Sequence, residues 1–127
     1  MCTLPFFSAE FDILKVVGVL KNRFGKGDEV LMNKIEHLCN KIRWGLRQQI
    51  KQNRSGIDFC IDSDTFDKKI MAQIKNVFKE CCNEYLNFDS CDLPGETIFF
   101  FRKHGWADED EEYLEQDEVL TIWFNEK

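Results

Sequence analysis

The sequence predicts an α+β domain: an N-terminal antiparallel helical hairpin, then a β-α-β-β unit whose small three-stranded sheet, mixed or antiparallel, packs on the helices. Three observations carry this. Two long helix-period segments are separated only by Gly25-Lys26-Gly27, a strong helix breaker. A short segment, Ile57 to Asp62, alternates apolar and polar residues at the strand period. Two later runs, Thr97 to Phe101 and Val119 to Phe124, are apolar on both faces, as buried strands are.

The first helix is expected from Ala9 to Phe24, with Ser8 as its N-cap. Ile13, Leu14, Val16, Val17, Val19 and Leu20 make it apolar nearly all round, which predicts a central helix. The second helix runs from about Asp28 to Asn53. Its stripe of Leu31, Ile35, Leu38, Ile42, Leu46 and Ile50 recurs at steps of three and four. A third helix is expected from a Ser63 or Asp64 cap to about Leu86, with Phe66, Ile70, Ile74, Val77, Cys81 and Tyr85 on one face. Asn87 to Gly95 reads as a loop. The last two strands, joined by a hydrophilic connector, are expected to be antiparallel neighbours.

A chain of 127 residues fits one domain, here residues 1–127. Twelve Phe and three Trp supply large buried area. The net charge of −6 has the wrong sign for coating nucleic acid or an anionic membrane. The most apolar run, Ile13 to Leu20, contains Lys15 and is too short to cross a bilayer. Met1 to Phe7 has no basic region of the secretory kind, so a cytoplasmic location is expected. The six cysteines then read as reduced thiols rather than bridges. Cys81 is in register with the third apolar stripe, which leaves Cys82 as the thiol expected to face solvent.

The acidic connector is the most distinctive feature. Asp108, Glu109, Asp110, Glu111 and Glu112 are consecutive, and Glu115, Asp117 and Glu118 follow, with no basic residue among them. Such a run repels itself and stays solvated. It also suits docking to a basic surface, since opposite potentials speed encounter and set register. Trp106 and Tyr113 flank or interrupt the acids and could supply apolar anchors.

Arg43, Arg47, Lys51 and Arg54 form a basic stripe along one face of the second helix. It reads as a phosphate contact, as a solvated face whose cations suit a helix C-terminus, or as a partner of the acidic connector within one chain or between two. Asp62, Asp64 and Asp67 resemble the start of a calcium loop, but the sixth and twelfth places hold Asp67 and Gln73, so helix capping explains them better. Cys81, Cys82, Cys91 and His104 match no zinc spacing. No nucleophile pair or phosphate-binding loop is apparent, so the chain is expected not to be an enzyme and to need no cofactor.

The expected function is a small acidic protein-binding protein, an inhibitor of the immunity or antitoxin type. Its connector, Trp106 to Glu118, would occlude the basic surface of a target such as a nuclease. This rests on analogy of size and charge alone. The alternative is a non-catalytic structural or regulatory subunit that self-associates, as a homodimer for example, or joins a larger assembly through apolar helix surfaces. Direct nucleic-acid binding and membrane binding are not expected.

Overall fold

The computed structural model describes residues 8–25, 27–52, 54, 56–82, 86–103 and 119–125. The acidic connector, residues 106–118, lies outside them. Among the described residues, the order of elements is α1 (Ser8–Phe24), α2 (Glu29–Lys51), β1 (Gly56–Asp62), α3 (Lys68–Cys81), β2 (Leu86–Leu93), β3 (Glu96–Lys103) and β4 (Val119–Trp123). The class is α+β, with four strands rather than the three expected, in the order β2-β3-β1-β4.

α1 and α2 form the expected antiparallel hairpin. Ion pairs run from Glu10 to Arg43 and Arg47 at one end and from Lys21 to Glu36 at the other. Gly27 takes φ 93, a left-handed conformation open to glycine at little cost. Asp28 caps α2, its carboxylate accepting from the Leu31 N–H at 3.0 Å. α1 packs between α2 and α3. Its Ile13, Val16 and Leu20 are buried while Phe11 and Leu14 stay exposed, so it is central in the helical layer but not apolar on all sides in use.

α3 is shorter than expected. Its cap is Asp67, whose carboxylate accepts from Lys69 N–H, and not Ser63 or Asp64. Residues 63–66 instead form turns, and Phe66 fills the core from outside the helix. The helix ends at Cys81, and Cys82 closes it by donating its N–H to the Phe78 carbonyl. This corrects the reading of the thiols. Cys82 is buried, because its backbone has left the helical register, and Cys81 is half-buried.

The segment Asn87 to Leu93, expected as a loop, is most of strand β2. It pairs antiparallel with β3 across a two-residue turn, Pro94-Gly95, in which Gly95 has φ 87. The last two strands are not neighbours. β1 lies between them, antiparallel to β3 and parallel to β4.

One face of the sheet carries Ile57, Phe59, Ile61, Phe99, Phe101 and Ile122, all buried with the helices in a single apolar cluster. Phe78 of α3 lies 5.3 to 6.0 Å from the rings of Phe88, Phe99 and Phe101, which fastens α3 over β2 and β3. α2 covers β1 and β4. A Cβ on Gly45 would run into Cδ1 of Ile122, so glycine sets the closest approach of helix and sheet.

Glycine to alanine inside a helix normally gains about 1 kcal/mol. For Gly45→Ala we expect that gain to be offset, and Ile122→Val, which removes Cδ1, to restore it. Urea unfolding of both single variants and the double variant should give a coupling of about 1 kcal/mol or more in favour of the pair. Additive effects would mean that the helix and β4 are not in such close contact.

Candidate partner-binding site

Where α2 crosses β4, a groove of about 770 Å³ opens along the sheet edge. Its helix wall includes His37, Lys41, Trp44 and Gln48, and its strand wall Leu120, Thr121 and Trp123. The stripe Leu31 to Leu46 turns toward the sheet, which leaves Trp44 on the flank of α2. Trp44 and Trp123 are each 52% exposed, an unusual state for the largest side chain. The ring of His37 lies 5.3 Å from that of Phe124, whose N–H donates to the Cys60 carbonyl. Strand alternation then directs the backbone groups of Thr121 and Trp123 away from β1, toward the open edge. Val119 to Trp123 contains no charge and is β-branched or aromatic at four of its five positions. Such an edge is a template for an added strand. Chemically, the groove offers two indole faces, uncharged amides, the Lys41 side chain and a row of peptide groups that no described strand pairs, which suits a polypeptide.

None of the expected partner-binding residues, Trp106, Asp108, Glu109, Asp110, Glu111, Glu112, Tyr113, Glu115, Asp117 and Glu118, lies within the described residues. Their flanks do. Phe101 and Leu120 both pair with Ile57, so the connector leaves and rejoins the sheet on either side of the start of β1. It rejoins through the strand that lines the groove.

Part of the basic stripe is used inside the fold, a role the sequence reading did not include. Glu10, with no exposed surface, accepts from Arg43 Nε at 3.1 Å and from Arg47 Nε at 2.9 Å. Two of the four cations therefore lock α1 to α2. The signal was present in the sequence as a carboxylate at the start of an apolar helix. Asp12 is equally buried and accepts from the Leu86 N–H at 3.1 Å, fixing the start of β2. Asp67 serves as a helix cap, as the capping reading of the aspartates has it.

The thiols are poor nucleophiles where they are buried. Burial pushes Cys39 up to about 12 and Cys60 up to about 11, so both stay protonated at neutral pH. Cys91 is exposed on β2. No group of three or more His, Cys, Asp or Glu side chains is placed to hold a metal ion among the described residues.

Breaking a buried ion pair costs most when the buried charge is left alone. Arg43 and Arg47 are partly exposed and can return to water, whereas Glu10 cannot. Replacing both arginines by alanine should therefore cost about 3 to 5 kcal/mol, and Glu10→Gln clearly less. Equal losses in chemical denaturation would show that the carboxylate is not the desolvated partner. Compared with known proteins, the chain matches no family model, no curated protein and no solved structure.

Proposed function

We propose that the chain is a non-catalytic binding protein that docks onto a basic protein target and occludes it, in the manner of an inhibitor or antitoxin. The observation that carries this is the placement of charge. The segment 108–118 holds eight of the 23 acidic residues; the other 15 face 17 basic ones, so the rest of the chain is slightly positive. The negative charge is thus concentrated in one segment that joins the groove strand. The carboxylates would steer a basic target, and the exposed Trp44 and Trp123 of the groove would provide the apolar contact that holds it.

The uncharged edge of β4, which no described strand pairs, favours a second reading, a subunit that pairs with its own copy through that edge. The two readings differ in their response to salt.

The test starts with capture of a partner from a nuclease-treated lysate, followed by binding kinetics with the purified pair. Neutralising Asp108, Glu109, Asp110, Glu111 and Glu112 to their amides should slow association by about tenfold or more and flatten its salt dependence. Trp44→Ala and Trp123→Ala should act mainly by speeding dissociation. A chain that stays alone, or as a homodimer, at every salt concentration would overturn the inhibitor reading. So would kinetics indifferent to the neutralised connector.

A further inference from the structure

All three helices pack on one face of the sheet, and the registers of the four strands define what stands on the other. One row across the strands is Cys91, Ile98, Cys60 and Trp123. It is apolar over its whole width, with Cys91 and Trp123 exposed, Ile98 half-buried and Cys60 buried between its neighbours. On one side of it Glu96 of β3 stands directly opposite Asp62 of β1. On the other side Asp89, Phe100 and Asp58 are aligned. The face is therefore an apolar stripe between two lines of carboxylates.

Two features set this surface apart from an ordinary solvated sheet face. Carboxylates directly opposite on neighbouring strands destabilise a sheet, yet Glu96 and Asp62 have no salt bridge to any other described residue. The one guanidinium on the face is already engaged. Arg102 lies over Gly56, where any Cβ would clash with it, and its Nη1 donates to the Phe101 carbonyl at 2.9 Å and sits 3.6 Å from Asp58. Desolvation still holds the Asp58 carboxyl above its ordinary value against the pull of Arg102.

We propose that this face of the sheet is the seat of a basic amphipathic helix of the protein partner, its apolar stripe on Ile98 and Trp123, which flank the buried Cys60, and its flanking Lys or Arg side chains on Glu96, Asp62 and Asp89. This rests on the reading of a basic protein partner. Charge complementarity selects the occupant. A second copy packed face to face would set carboxylate against carboxylate, and a nucleic acid would set phosphate against them. The dimensions agree as well. Four strands about 4.8 Å apart give a row of about 14 Å, which is about nine residues of helix at 1.5 Å each.

The test is a titration of the isotope-labelled full chain, followed by backbone amide resonances. The probe is a synthetic amphipathic peptide of about 18 residues, five turns, with a leucine stripe flanked by lysines; the control has glutamates in place of the lysines. We expect Ile98, Cys60, Phe100 and Trp123 to shift with the lysine peptide and not with the control. The variant Asp62→Asn, Glu96→Gln should bind about tenfold more weakly while melting no lower than the parent, because the change also removes a like-charge pair. Shifts confined to residues 108–118 would overturn the sheet face as the seat and leave the connector reading standing. No shift anywhere would overturn both. Equal binding of the two peptides, or no effect of the double variant, would overturn the role given to the carboxylates.

Discussion

The close approach of α2 to the sheet at Gly45 sets the rest of the architecture. Without a side chain there, the helix settles against Ile122 and Ile57 and covers both β4 and β1. That contact lets β4 join β1 in parallel, with Phe59 opposite Ile122. It also leaves Trp44, the residue before Gly45, beside the strand rather than over it, so the groove opens at this point. α1 is held to α2 by Glu10 and to the sheet at the start of β2 by Asp12. An apolar cluster around Phe78 does for α3 what Gly45 does for α2. Once every helix is committed to one face, the opposite face has to be completed by something else or remain in water.

Helix-period and strand-period patterns disclosed α1, α2, β1, β3 and β4, because each buries residues at its own regular spacing. β2 was hidden. Its face toward the helices offers only Leu86 and Phe88 as large apolar residues, followed by Ser90 and Asp92, and the other face is Asn87, Asp89, Cys91 and Leu93, a mixture with little strand preference by itself. It is a strand because β3 pairs with it and Phe88 stacks on Phe78. Pro94-Gly95 was the available sign of a tight turn between two strands. The neighbour of β4 was hidden for a different reason. Adjacent strands in sequence usually pair, but a connector of fifteen residues, 104–118, does not force it, and the open edge of β1 took β4 instead. The groove was least legible, since Trp44 and Trp123 are far apart in sequence and share no periodicity. Trp44 did stand off the apolar stripe of its helix, which is the mark of an aromatic with a neighbour elsewhere or with none.

The charges divide in a way that composition conceals. Arg43 and Arg47 are spent on a buried carboxylate, Lys75 on Asp92, and Arg102 on Asp58 and nearby carbonyls. The Asp92 carboxyl is held below its ordinary value by its hydrogen bonds from Lys75 and Thr97, so that pairing strengthens the fold above the ordinary carboxylate range and fades as the pH falls through the lowered value. Asp58, held above its ordinary value, works in the opposite direction and favours the fold less as its proton leaves. One aspartate is placed for the fold, and the other is tolerated by it.

Tolerated charges are informative because stability is small and each one subtracts from it. Glu96 opposite Asp62 gains nothing for the sheet, since like charges directly opposite on neighbouring strands destabilise it. Their position beside an apolar row gives them another use. Charges in water act over about 8 to 10 Å before salt screens them, so the connector acids are suited to gathering a partner from a distance. Carboxylates beside Ile98 and Cys60 are weak at long range but strengthen once an arriving surface excludes water from the row. The two sets are therefore complementary rather than redundant. On the proposed reading, the acidic run raises the rate of encounter for any basic surface, while Glu96 and Asp62 distinguish a surface whose cations fall beside an apolar stripe from one that merely carries the right net charge.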